Sequence, residues 1–227
     1  MQPAWQLVSK WEEVQPVTHR RPLPEVLYKA MFSLAVFWKW TRFAGVLLLG
    51  MEGIARVGEL LKAYRSDMVL PSDMFECERN LLFLKVRSPK TLRRGKGRVQ
   101  HLRVESPPAI RALECIFSQL DDFLPLFPGS AAVFRDRWNR LLTALGLPLH
   151  LRPTPSGIRG GAAIMAYQRG MAVSEIMWKM RLVSITTLES YIQELAAESL
   201  LTTLPDRTKR RIRSSASFFN VALQSLG

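Results

Sequence analysis

Residues 23–55 read LPEVLYKAMFSLAVFWKWTRFAGVLLLGMEGIA, and their apolar side chains recur at spacings of three and four. That period predicts two consecutive buried helices rather than strands, with a break near Trp38–Thr41. Downstream, VGELLKAYRSDM (57–68) continues a helix or starts another, and Pro71 stops it. The period then changes. NLLFLKVRSP (80–89) and GRVQHLRVES (97–106) have the length and character of strands, and the basic, glycine-marked KTLRRGKG (90–97) between them reads as the turn of a hairpin.

Helical patterns resume at SPPAIRALECIFSQL (106–120), with proline at the helix start, and at AAVFRDRWNRLLTALGL (131–147), closed by Gly146 and Pro148. PTPSGIRGGAAIMAYQRG (153–170) begins in a turn and enters a small-residue helix; AVSEIMWKMRL (172–182) and ITTLESYIQELAAESLLT (185–202) complete the run. The expected fold class is mainly α with a small antiparallel β-sheet. Residues 1–24, punctuated by Pro3, Pro16, Pro22 and Pro24, read as an N-terminal arm or truncated linker. Residues 25–203 read as the functional domain and 204–227 as a basic C-terminal tail.

Composition narrows the function classes. The 227-residue chain is 48% hydrophobic and 22% charged, which excludes a disordered chain, a collagen and a coiled-coil rod. Its formal net charge is +13, favouring a polyanionic partner. Two cysteines, Cys77 and Cys115, with no CxxC, and three histidines, His19, His101 and His150, make neither a disulfide framework nor a zinc site. The cysteines are expected to be buried or half-buried free thiols. Lys39, Arg42 and Glu52 interrupt the most apolar region, whose uncharged runs reach about nine residues, against the ~20 of a membrane span. The first residues lack the basic-then-apolar order of a secretory signal, so a soluble, intracellular protein is expected, nuclear in a eukaryotic cell.

The positive charge is concentrated. Residues 85–103 hold eight cations and no acid: Lys85, Arg87, Lys90, Arg93, Arg94, Lys96, Arg98 and Arg103. Arg207, Lys209, Arg210, Arg211 and Arg213 stand against Asp206 alone in the last 25 residues. Two such runs on one chain fit contact with a DNA backbone, with Arg87, Arg93, Arg94, Lys96 and Arg98 as the nearest candidates. A membrane-surface role would call for an amphipathic basic helix, whereas the denser run lies on a hairpin.

Four groups far apart in the chain suit one reaction: Arg56 in GIARVGELL, Lys90 in SPKT, Arg159 in PSGIRGG and Tyr191 in TTLESYIQE. Two guanidinium forks hold a phosphate's non-bridging oxygens and neutralise the charge that grows in the transition state. A lysine protonates the departing oxygen, and a tyrosine hydroxyl attacks phosphorus to store the bond as a covalent ester. The glycines of PSGIRGG are also expected to leave backbone N–H groups open to an anion.

In these motifs, over residues 25 to 200, the sequence resembles the catalytic domain of tyrosine recombinases of the phage-integrase type, most closely the divergent versions of eukaryotic mobile elements. GIARVGEL (53–60) matches the family's G-x-R-x-x-E-L with one extra spacer before Arg56. Lys90 falls where the family carries a lysine on the turn between its second and third strands. Ser156-Gly157-Ile158-Arg159-Gly160 matches H-x-L-R-H in frame, and TTLESY (186–191) resembles the end of H-S-x-x-x-T-T-x-x-Y with one extra residue before the tyrosine.

The resemblance implies a three-stranded sheet, a phosphate clamp of Arg56 and Arg159, Glu59 supporting Arg56, Lys90 as general acid on the 5′ oxygen, and Tyr191 as the nucleophile forming a 3′-phosphotyrosine. It implies double-stranded DNA as partner, self-association on DNA with residues 214–227 docking on a neighbour, and no metal, nucleotide or other small-molecule cofactor. Three positions depart from the pattern: Ser156 stands where histidine or lysine is usual, Gly160 where a second histidine is common, and Leu182, nine residues before Tyr191, where histidine or tryptophan is expected. Leucine donates no hydrogen bond, and one missing transition-state donor costs ~10²–10³ in rate. Slow strand transfer, a binding protein that does not cut, and relaxation of the type IB topoisomerase kind therefore stand side by side.

Overall fold

The computed structural model describes residues 21–75, 80–87, 100–192 and 194–227. Pro24, extended at φ −61° and ψ 145°, feeds helix α1 (Glu25–Phe37). The chain breaks at the expected place. Trp38 N–H bonds the Leu34 carbonyl at 2.9 Å, Trp40 N–H bonds that of Ala35 at 2.8 Å, and Lys39 turns left-handed at φ 58°. Helix α2 (Thr41–Glu52) follows and is buried along its length from Phe43 to Met51, so it forms the centre of the core.

Helix α3 is one turn, Val57–Leu60. The helical reading of residues 57–68 therefore holds only for its first third. Side chains beyond Leu60 compete for the backbone: the Tyr64 N–H bonds Asp67 Oδ2 at 2.9 Å, and Arg65 reaches across to Asp73. Such local ties offer the chain an alternative to the helix ladder. They produce a 3₁₀ turn at Arg65–Asp67 and a short strand β1 (Met68–Val69).

Strands β2 (Leu82–Val86) and β3 (Gln100–Val104) complete an antiparallel sheet ordered β1-β2-β3, with Leu84 opposite both Met68 and Leu102. Leu82, Leu84, Val86, Leu102 and Val104 face the core, as the period of two requires. The connecting segment 88–99, with Lys90, Arg93, Arg94, Lys96 and Arg98, lies outside the described residues, as do residues 1–20 and Cys77.

Helices α4 (Pro107–Phe117), α5 (Ala131–Ala144), α6 (Gly157–Gln168), α7 (Val173–Met180), α8 (Ile185–Glu189), α9 (Glu194–Thr202), α10 (Asp206–Ser217) and α11 (Phe219–Gln224) follow. Helices α4 and α6 pack on α2. Cys115 is exposed on α4, not buried as expected, because Ile110, Leu113 and Phe117 form that helix's inner face.

The last 22 residues are not a tail. Helices α10 and α11 pack on α1 of the same chain: Thr208, Ile212, Ala222 and Leu223 are buried, and Phe219 lies 5.6 Å from the Tyr28 ring and 5.1 Å from Phe32. Thr208 Oγ1 also donates to the Gly146 carbonyl at 2.9 Å. Four-residue spacing puts Thr208 and Ile212 on one side of α10 and leaves Arg207, Arg210, Arg211 and Arg213 exposed on the other. Residues 214–227, expected to dock on a neighbour, here pack on the core of their own chain. At the other end Pro22, Leu23 and Pro24, assigned to the arm, are buried in the body. Among the described residues no helix is long and apolar enough to cross a membrane.

Candidate functional site

Two helix ends and the start of a third helix build the site. At the end of α2, Ile54 adopts φ 47° and Ala55 N–H bonds the Gly50 carbonyl at 3.0 Å. This turn places Arg56 immediately before α3, with Glu59 one turn on. At the end of α7, Arg181 N–H bonds the Trp178 carbonyl and Leu182 N–H that of Met177, each at 2.9 Å, with Arg181 left-handed at φ 56°. Glycine usually occupies this position in a helix-ending turn. An L-residue there costs ~1–2 kcal/mol, so the rest of the fold holds two side chains, Ile54 and Arg181, in strained turns at the same place.

Arg159 lies between them on α6. Its helix comes unusually close to the chain entering α1: Leu23 N–H bonds the Gly157 carbonyl at 2.9 Å. A Cβ at Gly157 would run into the Arg21 carbonyl oxygen, and one at Gly161 into that of Leu23. Gly160 leaves room for Pro22 and for the Tyr191 backbone. The glycines of PSGIRGG therefore serve close packing. They do not open the backbone to an anion, because Gly157 and Ile158 N–H already bond the carbonyls of Thr154 and Pro155.

Arg159 is 2% exposed. Its Nη1 donates to the Ile54 carbonyl at 3.3 Å, its Nη2 donates to the Met180 carbonyl, and its Nε has no partner. Both strained turns are thus tied to one guanidinium. That guanidinium stands over the Tyr191 ring, 5.6 Å from its centroid. Tyr191 follows α8, is half-buried against the core, and its N–H bonds the Leu188 carbonyl at 2.8 Å. Glu59, 7% exposed, spans two arginines: Oε1 accepts from Arg56 at 3.0 Å and Oε2 from Arg181.

The electrostatics are unbalanced. Three guanidiniums meet one carboxylate. Burial, and then the charges of Arg56 and Arg181, push Arg159 down to about 10, with Tyr191 and Glu59 opposing. Arg181 is also lowered, first by burial, with Glu59 opposing and Arg56 adding to the shift. A buried cation whose neighbours are cations is stabilised by an arriving anion.

Among the residues singled out from sequence, Arg56, Glu59, Arg159 and Tyr191 come together. Ser156 sits at the start of α6 with its hydroxyl 2.7 Å from that of Thr154. Leu182 packs on the core. Arg87 pairs with Asp67 at 2.5 Å and lies over the Tyr64 ring, so its charge is already answered. Trp178, 49% exposed, meets the His101 ring edge-on and has the Arg103 guanidinium over its face.

Arg181 was missed. Counting back nine from Tyr191 lands on Leu182, but the same motif counted back five from Thr186 lands on Arg181. The extra residue falls between the threonine pair and the tyrosine, so a count from the tyrosine lands one position too late.

Neither a family model nor a curated protein matches this chain. Among solved structures it is similar to the crystal structure of XerA recombinase, with a TM-score of 0.59 and 18% sequence identity. The match covers 83% of this chain and spans 64% of that one. The mainly helical architecture with its small antiparallel sheet is therefore recombinase-like.

Proposed function

We propose that this chain breaks and rejoins double-stranded DNA through a covalent bond to Tyr191. Arg56 and Arg159 hold the non-bridging oxygens of the scissile phosphate. The Tyr191 hydroxyl gives its proton to water and its oxygen attacks phosphorus; the bond from phosphorus to the 5′ oxygen breaks, and Lys90 gives that oxygen a proton and regains one from water. The product is a 3′-phosphotyrosine and a free 5′ hydroxyl, and reversal with a second 5′ hydroxyl rejoins the strand. Water carries the proton from Tyr191 and restores the one Lys90 gives up, so the step balances with these side chains, water and the DNA.

The observation that carries this reading is the Arg159 guanidinium: buried, without a carboxylate of its own, beside other cations and against the ring of the proposed nucleophile. The recombinase-like fold supports it. Exchange between two duplexes calls for more than one chain on DNA, and the work is done in the soluble phase, which means the nucleus if the cell is eukaryotic.

A nicked suicide duplex tests the reading. The wild type should give a covalent protein–DNA band, and Tyr191→Phe none. Relaxed circles without recombinants would instead identify a topoisomerase-like activity. A binding-only protein is favoured by Ser156 and Gly160, which stand at two proton-handling positions of the motif without an imidazole or an amine. It would show salt-sensitive DNA binding and no covalent band for either protein.

A further inference from the structure

We propose that Arg181 is a third ligand of the same phosphate and a catalytic residue, donating to a non-bridging oxygen as charge builds on it. The proposal rests on the reading above and adds a group that reading does not use.

The Arg181 side chain is 9% exposed, and Glu59 meets only its Nη2. Its Nε and Nη1 are buried without a partner, and the Arg159 Nε beside the same site is unpartnered too. Buried charged donors left unpaired are expensive, and a guanidinium presents its donors as a flat fork suited to two oxygens of one anion. Glu59 sets the geometry. By accepting from Arg56 with one oxygen and from Arg181 with the other, it holds the two side chains as a pair. Its single charge leaves the three arginines in excess. A tetrahedral oxyanion with several acceptor oxygens meets that demand, and a phosphodiester is the one the Tyr191 hydroxyl can attack.

A role confined to the ion pair with Glu59 is the competing explanation, and two substrates separate the two. Cleavage by wild type, Arg181→Ala, Arg181→Met and Arg181→Lys is measured on suicide duplexes with either an ordinary scissile phosphate or a methylphosphonate, which lacks the negative non-bridging oxygen. On phosphate, Arg181→Ala and Arg181→Met should cleave about 10²-fold slower or worse, with DNA affinity changed less than about threefold and Arg181→Lys intermediate. On methylphosphonate the gap should close to under about tenfold. Equal losses on both substrates, or cleavage by Arg181→Met within about threefold of wild type, overturns the proposal. Arg181→Met keeps the apolar stem, so it stands in where the alanine variant does not fold.

If the wild type forms no covalent band, the strand-transfer reading fails by itself, and thermal melting with inorganic phosphate decides the anion site. A rise in the wild type that is absent from Arg181→Met supports the site. Equal rises, or none in either protein, overturn it.

Discussion

Among the described residues two arginines, Arg65 and Arg159, are buried, and they are buried for different reasons. Arg65, before the first strand, donates to the Met68 carbonyl at 3.1 Å and to both oxygens of Asp73 at 2.7 and 2.9 Å. Arg159 donates to two carbonyls, meets no carboxylate, and has Arg56 and Arg181 for neighbours. Each leaves its Nε unpaired; what differs is the counter-charge. An arginine with its own carboxylate is part of the scaffold. One buried among cations is a standing cost to the empty fold, and binding an anion relieves it.

The largest expected effect breaks the comparison on the functional side. Arg159→Met should slow formation of the covalent DNA band by at least ~10³-fold, since it removes the most enclosed donor of the site. Because it also relieves like-charge repulsion, its unfolding free energy should stay within ~1 kcal/mol of wild type by urea titration. Arg65→Met should invert that pattern. Leaving Asp73 unpaired costs about 2 kcal/mol, below the 3–5 of a fully enclosed pair because Asp73 is partly exposed, and cleavage per folded molecule should be unchanged.

A smaller effect sharpens the contrast through ligand linkage. Phosphate at about ten times its dissociation constant should stabilise the wild type by about 1.4 kcal/mol, a rise in melting temperature that Arg159→Met loses and Arg65→Met keeps. The smallest effect is in acid. Burial alone would raise Asp73, but hydrogen bonds from Arg65 and the Leu70 N–H, with the Arg65 charge, leave it lowered. Its contribution is complete above the ordinary carboxylate pKa of about 4 and is lost as pH falls through the lower folded value. Melting temperature below pH 4 should therefore fall more steeply in wild type than in Arg65→Met.

How much of this was legible depends on whether the signal was local. The break between α1 and α2 showed at Trp38–Thr41 because helical spacing fails there, and β2 and β3 showed through their length and the loss of the helical period. Arg56, Glu59, Arg159 and Tyr191, which the fold brings together, could be picked out because three short motifs survive in the chain with one extra residue in two of them. The early stop of α3 was hidden, since Asp67 and Asp73 act by reaching back to backbone and to Arg65. The glycines around Arg159 were misread because the partner they admit, Arg21 to Leu23, lies more than 130 residues away in sequence.

The chain alone determined the helical class, the small sheet, the basic character and the order of the residues that cluster, because each is written in neighbouring side chains. Tertiary structure alone decided that the C-terminal helices close on their own core, that Arg65 is balanced while Arg159 is not, and that Arg181 joins the cluster. Those outcomes depend on which charges end up within a few ångströms of one another. Coulomb interactions in a buried site are set by distance in space, and distance along the chain does not report it.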